Sequence, residues 1–175
     1  MLEKQVNLKN KKIHDLLTNY KNFVEFKTIG DGLNLKNSKY SFDVKKIKVE
    51  DLVVGKNITK YPISTAYIEF YDGNLFIISG DGIISYENFS KFENDKKINA
   101  KIIKTNFHQV VNDDSILEHS FTGIKDFKII DDEIYLSYST KIKDNCRNTS
   151  ILKGKMSYEN IIFEKFFSPV ECVID

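Results

Sequence analysis

The sequence predicts an all-β fold of antiparallel strands, and two observations support this prediction. The stretch Ala66–Glu87, AYIEFYDGNLFIISGDGIISYE, is rich in β-branched and aromatic residues and contains the pairs Asp72-Gly73 and Asp81-Gly82. Such pairs supply the positive φ angles that tight hairpin turns require. The same order of apolar and turn residues recurs near residue 129, where Phe127–Leu136 aligns with Ile68–Ile77 at a constant offset of 59 residues. One meander of short strands is therefore predicted to occur twice.

Each repeat is predicted to hold four strands. Repeats of four antiparallel strands are typical of β-propeller blades, in which each sheet buries both faces against its neighbours. The predicted strands are Ala66–Tyr71, Leu75–Ser79, Ile83–Glu87 and Ile98–Thr105 in the first repeat, and Ile124–Ile130, Glu133–Thr140, Asn148–Lys155 and Asn160–Phe166 in the second. We interpret 1–175 as one partial propeller domain, with a lead-in over 1–61, blade one over 62–111 and blade two over 112–175.

The lead-in is predicted to contain one helix and extra strands. Apolar residues at helical spacing predict an amphipathic helix over Lys11–Asn22. From Phe23 to Val49 the pattern changes to strands, with a turn at Gly30–Gly32 and a half-buried strand through Tyr40–Val44. Pro62 ends any preceding element.

Composition and charge limit the classes of partner. The chain has 175 residues, of which 41% are hydrophobic and 13% aromatic, as expected of a globular domain. Its 26 basic and 25 acidic residues give a net charge of +1, which argues against binding to nucleic acid or to an anionic membrane surface. No run reaches the ~18 apolar residues of a membrane span, and residues 1–22 lack a secretory apolar stretch. The chain is expected either in the cytoplasm or outside it after removal of a leader.

Two blades do not close a propeller, since closure usually takes four to eight. The sequence leaves two alternatives open. The chain is the leading part of a longer propeller, or several copies associate to complete the wheel, in which case three copies would supply six blades. The predicted partners are therefore missing blades or further copies of the chain.

The two cysteines are predicted to lie at one end of blade two. In a four-stranded meander, the turn between the second and third strands shares an end with the segment that follows the fourth. Cys146 precedes the third predicted strand and Cys172 follows the fourth, so both can reach the ~5.5 Å Cα separation of a disulfide. A disulfide would indicate a periplasmic or secreted protein, and two free thiols in an intracellular protein are the alternative. The spacing does not predict a zinc site.

The same topological rule brings polar residues to this end. His119 is the candidate catalytic residue, because an imidazole at a channel mouth can act as a general base and a neighbouring carboxylate can raise its pKa. A simple surface pair with Glu118 is the alternative. The full polar set is Asp81, Asn112, Asp113, Asp114, Glu118, His119 and Arg147.

Three stretches carry a family resemblance. STAYIEFYDGNLFIISGDGIISY, EHSFTGIKDFKIIDDEIYLSYS and CRNTSILKGKM with FEKFFSPVECV resemble the opening blades of six-bladed propellers related to soluble quinoprotein glucose dehydrogenase and the sorbosone dehydrogenases. The resemblance extends from Pro62 to the C-terminus. It implies an exported oxidoreductase that binds pyrroloquinoline quinone and calcium and oxidises a sugar while a histidine removes the proton.

Only part of that site is expected in this chain. His119 falls where the proton-abstracting histidine is expected, but the spacing to Ile134-Tyr135 differs from the family pattern. The quinone-clamping cations and the usual calcium ligands would lie in later blades, so the chain is expected to be inactive alone. The rival hypothesis is a non-catalytic propeller-type module that binds a protein or glycan on its channel face, either as an oligomer or within a larger assembly.

Overall fold

The computed structural model describes residues 22–30, 32–36, 39–49, 66–80, 82–111, 123–143 and 146–171. Within these ranges the chain is mostly β-strand, which confirms the predicted all-β class. The strands are β1 Phe23–Thr28, β2 Leu33–Lys36, β3 Ser41–Val44, β4 Ile47–Val49, β5 Ala66–Tyr71, β6 Asn74–Ser79, β7 Ile84–Asn88, β8 Lys97–Thr105, β9 Ile124–Ile130, β10 Glu133–Lys143, β11 Cys146–Lys155, β12 Asn160–Ile161 and β13 Phe163–Phe167; the helices are α1 Phe89–Asn94 and α2 Phe107–Val110.

The predicted meander does occur twice. Blade one is the run β5-β6-β7-β8 and blade two is the run β9-β10-β11-β13, each antiparallel throughout. The observed strand bounds agree closely with the predicted ones. The main difference is the fourth strand of blade two, which is divided, because Asn160–Ile161 pairs in parallel with β8 of blade one before Phe163–Phe167 pairs with β11.

Tight turns join the first two strands of each blade. Asp72 and Gly73 have φ angles of 48° and 71°, and Asp131 and Asp132 have 49° and 62°. Two successive positive φ angles give the hairpin turn whose twist matches that of the flanking strands. The Asp72-Gly73 turn predicted from the sequence is therefore confirmed.

Gly82 lies between the second and third strands of blade one. Its φ is +92°, and a Cβ atom at this position would meet Phe107 Cδ1 at 2.3 Å. Phe107 follows the fourth strand, so the two connections share one end, as the topological rule predicts. Glycine permits both the backbone conformation and the close approach of the ring.

Among the residues that the structure describes, blade one carries additional strands and blade two does not. β1 pairs antiparallel with the outer edge of β8, and β4 pairs antiparallel with β1, so the sheet continues in the order β4-β1-β8-β7-β6-β5. The sequence predicted strands between Phe23 and Val49 but not their attachment to blade one. The predicted helix over Lys11–Asn22 lies outside the described residues except Asn22, which has φ 57°.

The main core lies between the two blades. Blade one contributes Phe76, Ile78, Ile84 and Ile103, and blade two contributes Phe127, Ile129, Ile134, Leu136 and Leu152. Full burial of such side chains stabilises the fold by roughly 1.5–3 kcal/mol each. We call this buried interface between the two blades the seam. Its packing holds the blades together.

A second core covers the far face of blade one. Phe92 of α1 meets Phe26 of β1 edge to face, with ring centroids 5.6 Å apart. Both belong to a buried cluster that also contains Val24, Ile77, Ile83, Ile98 and Ala100. Blade one is thus buried on its seam face and over most of its far face.

Candidate functional site

Most of the polar set predicted from the sequence lies outside the described residues. This applies to Asp81, to residues 112–114 and to Glu118 and His119. Arg147 is described, and it lies at the start of β11 opposite Lys141. The catalytic role of His119 stays a prediction.

Cys146 is buried at the first position of β11, and its predicted partner Cys172 lies outside the described residues. The adjacent residue Glu171 is described. Its carbonyl oxygen accepts a hydrogen bond from Asn148 Nδ2 at 3.0 Å. The chain after β13 therefore returns to the start of β11, and the disulfide itself stays a prediction.

Two kinds of feature are absent from the residues that the structure describes. These residues contain no group of three or more histidine, cysteine or acidic residues arranged to hold a metal ion. No helix among them is long and apolar enough to cross a membrane. Because no ligand set is found in these ranges, we derive no step through the calcium and quinone that the resemblance implies.

The inner strands of the blades meet side by side. Lys128 Nζ of β9 lies 2.7 Å from Glu69 Oε1 of β5. These two residues are 59 positions apart, so they occupy the same position in the two repeats. Further along both strands, the Tyr71 hydroxyl donates a hydrogen bond to Asp132. The inner strands β5 and β9 thus run in the same direction, with equivalent residues at the same height.

A tyrosine–aspartate cluster closes the seam at the hairpin end. Tyr158 donates its hydroxyl hydrogen to Asp72 Oδ2 at 3.1 Å and accepts one from Asn74 Nδ2 at 3.4 Å. The hydrogen bond to Asp132, together with burial, raises the pKa of Tyr71 to about 12. Burial and the bond to Asp72 also raise the pKa of Tyr158. Both hydroxyls are therefore protonated donors at neutral pH, which suits a clamp between blades and not a general base.

An asparagine closes the seam at the other end. Asn106 Nδ2 donates to the Phe163 carbonyl oxygen at 3.0 Å, and its Oδ1 accepts from the Phe163 N–H at 2.7 Å. The amide group thereby extends the parallel ladder between β8 and β12. Both ends of the seam are hydrogen-bonded between blades.

The remaining feature is the outer face of blade two, the surface turned away from the seam. We define it by six residues on four neighbouring strands: Lys128, Ile130, Glu133, Tyr135, Lys153 and Phe166. Ile130 is 51% exposed and Phe166 is 59% exposed. Among the described residues no element covers these two apolar side chains, so the burial of both faces expected of a blade is not seen in this part of the structure.

A charged and aromatic cluster lies at the centre of this outer face. Tyr135 and Phe166 contact edge to face at 5.5 Å, and Lys153 Nζ lies 5.8 Å and 5.9 Å from the centres of their rings. Lys153 is also 2.8 Å from Glu133 Oε1. The hydrogen bond from Lys153, and then that from Tyr135, lowers the pKa of Glu133. The cluster therefore presents two rings flanked by one carboxylate and one ammonium group at neutral pH.

Sequence reasoning missed this surface, although a signal for it was present. Lys128 and Ile130 alternate along β9 with the buried residues Phe127 and Ile129. A single exposed isoleucine is ordinary on a protein surface, so this signal is weak until the pairing register places Tyr135 and Phe166 on the same face.

Comparisons with known proteins do not identify a family for this chain. No family model matches it, and searches of curated proteins and of solved structures found no match. The fold and the surfaces of the chain are therefore the basis for a functional proposal.

Proposed function

We propose that the chain is a non-catalytic propeller-type module that binds protein through the outer face of blade two. The observation that supports this proposal is the exposure of Ile130 and Phe166 on a regular sheet face. Blade two buries its apolar seam face against blade one, and adjoining exposed hydrophobic side chains on the opposite face mark a surface that a further layer can cover. A protein partner would supply that layer.

The composition of the face suits a protein interface. Aromatic residues are enriched at such interfaces and provide most of the binding energy, whereas charged side chains surround them. Tyr135 and Phe166 form the aromatic centre here, and Glu133 and Lys153 form a charged pair beside it. The pair keeps the rings in a defined geometry before binding, which reduces the entropy that a partner must overcome.

Blade one provides the internal comparison. Its far face is strongly apolar, and β1, β4 and α1 cover Ile77, Ile83 and Ile98 there. Within the described ranges, the chain therefore covers most of the far face of blade one with its own elements, and none of them covers the outer face of blade two. This asymmetry is expected if the open face is reserved for a partner.

Photo-crosslinking in cells tests the proposal. The photoreactive residue p-benzoyl-phenylalanine would replace Phe166, and a matched copy would carry it at Glu93, an exposed position on α1. We expect a protein adduct from position 166 and none from position 93. Equal labelling at both positions, or none at either, would contradict the proposal.

An activity measurement can overturn the non-catalytic proposal, although absence of activity is also expected if the chain is the leading part of a longer enzyme. We expect no dye reduction when the protein receives pyrroloquinoline quinone, calcium and glucose together. Reduction that is lost in His119→Ala would favour the sugar dehydrogenase hypothesis and overturn the non-catalytic one.

The location of the module depends on its cysteines. We propose that Cys146 and Cys172 form the predicted disulfide and that the module acts outside the reducing cytosol. The hydrogen bond between Asn148 and Glu171 supports the required approach of the two segments. Peptide mapping without reductant should recover the two cysteines in one linked peptide, and two alkylated thiols in fresh protein would contradict the pairing.

A further inference from the structure

We propose that the partner bound by the outer face of blade two is a second copy of this chain, docked head to tail through its inner strand β5. This inference rests on the proposed function and names the partner. It follows from a comparison of equivalent positions in the two repeats, which are 59 residues apart.

Blade two buries two apolar residues of its inner strand in the seam. Phe127 and Ile129 pack against blade one and are 2% and 7% exposed. Their counterparts in blade one are Ile68 and Phe70, which are 66% and 58% exposed. Blade one therefore presents to solvent the apolar positions that blade two uses to join its neighbour.

Blade one presents the opposite set of repeat positions to the seam. Glu69 and its partner across the strands, Phe76, lie on this seam face. Their counterparts in blade two are Lys128 and Tyr135, which pair with each other on the outer face. The positions with which blade one contacts blade two in the seam therefore lie on the outer face of blade two.

The two open surfaces lie at the repeat positions that form the two halves of the internal seam. One surface consists of Ile68, Phe70 and the adjacent Phe89, whose ring lies 5.6 Å from that of Phe70. The other is the outer face of blade two. A further seam between copies would cover both at once.

Charge supports the same orientation. Inside the chain, acidic Glu69 on one inner strand faces basic Lys128 at the same level of the next. A following copy docked head to tail would place its own Glu69 beside Lys128 of the preceding copy. Acidic and basic residues would then alternate around the wheel, with no like charges adjacent.

The strands added to blade one limit the size of the contact. β1, β4 and α1 cover the far face of blade one at Leu75 and Ile77 and leave the inner strand β5 accessible. The proposed interface is therefore concentrated near the axis of the wheel. A head-to-tail interface repeats until it closes, and closure at four to eight blades corresponds to about two to four copies.

Solution mass tests whether copies associate through both surfaces. We expect light scattering of the wild-type protein to give a multiple of the 20.3 kDa chain mass. Ile68→Glu and Ile130→Lys each remove one surface, and each variant should reduce the mass to that of a single chain. Leu35→Lys on the exposed hairpin strand β2 is the matched control and should retain the wild-type mass.

Crosslink mapping tests the orientation. The photoreactive residue would be placed at position 130, with one population of copies labelled with a heavy isotope so that adducts between copies are recognised. We expect the adduct peptides to come from β5 and the following turn of the other copy. Circular dichroism would verify that each variant keeps its β-sheet spectrum.

Two results would overturn this inference. One is a wild-type mass of 20.3 kDa at every concentration tested. The other is an adduct that joins the outer faces of two copies, because that contact is symmetric. If the adduct from position 166 contains a different protein while the chain itself is monomeric, the proposed function stands and this inference fails.

Discussion

Blade one and blade two share a strand order, a turn type and a repeat of 59 residues, but they differ in what covers their far faces. Strands β1 and β4 and helix α1 cover most of blade one. None of the described elements covers the outer face of blade two, which holds the repeat positions that blade one buries in the seam. The difference shows that the repeat specifies a blade, whereas the segments outside the repeat specify which faces are closed.

The comparison is sharpest at one pair of positions. Ile68 and Phe127 occupy the same place in the two meanders, yet Ile68 faces solvent and Phe127 lies in the seam. The sequence pattern around the two residues is similar. Whether each side chain is buried therefore depends on whether another layer packs against its strand. The following predictions test this difference, beginning with the largest expected effect.

Truncation of the seam residue should have the largest effect. We expect Phe127→Ala to lower the free energy of unfolding by about 3–5 kcal/mol, because it leaves a cavity among packed side chains. Ile68→Ala, at the equivalent position, should change the free energy by about 0.5 kcal/mol or less in dilute monomer. Urea unfolding measures both. Similar losses would mean that the two positions do not differ in burial.

Removal of the asparagine that joins the blades should rank second. Asn106→Ala leaves the N–H and carbonyl groups of Phe163 without their hydrogen bonds at a partly buried site. We expect a loss of about 1–3 kcal/mol. Asn148→Ala, which removes an exposed hydrogen bond to the Glu171 carbonyl, is the matched control and should cost less. A larger loss from the control would locate the stability of the chain away from the seam.

The helix that covers blade one should respond more modestly. Asn88 is the N-cap of α1, where its Oδ1 accepts from the Ser90 N–H at 3.0 Å. We expect Asn88→Ala to cost about 1 kcal/mol and Asn88→Ser to cost much less, since serine also caps helices. Thermal unfolding distinguishes the two. Equal losses would assign the effect to something other than the cap.

The smallest expected effect is a dependence of stability on acid. Hydrogen bonds from Lys27 and Lys97 lower the pKa of Glu25 from 4.5 to about 2. Since the unfolded chain takes up this proton at higher pH than the folded chain, the contribution of Glu25 is present above about pH 4.5 and is lost as the pH falls towards 2. Denaturant titrations over this range should show a shallower decline for Glu25→Gln. An identical decline would exclude a role for Glu25.

Much of the strand pattern of the blades was predictable from the sequence because it is local. Alternating apolar residues and the Asp72-Gly73 turn define the hairpin between β5 and β6 without reference to the rest of the chain. Pairings between distant segments were not predictable in this way. The attachment of Phe23–Thr28 to β8, and of Asn160–Ile161 to the same strand, depends on which edges remain free after the meander forms.

The candidate site was predicted less well than the fold. Sequence reasoning concentrated on polar residues at one end of the blades, and His119 lies outside the described ranges. The outer face of blade two was missed because Ile130, Tyr135 and Phe166 lie on three different strands. Only the pairing register brings Tyr135 and Phe166 to one surface with Lys153 between them.

Strand β12 has a mechanical consequence. Its two residues bond to the outer strand of the first blade, and the chain then crosses directly to the second blade as β13. Separation of the two blades would break the pairing between β8 and β12. At the hairpin end it would also break the hydrogen bonds of the tyrosine–aspartate cluster. The blades should therefore melt together in a single calorimetric transition, without a hinge step.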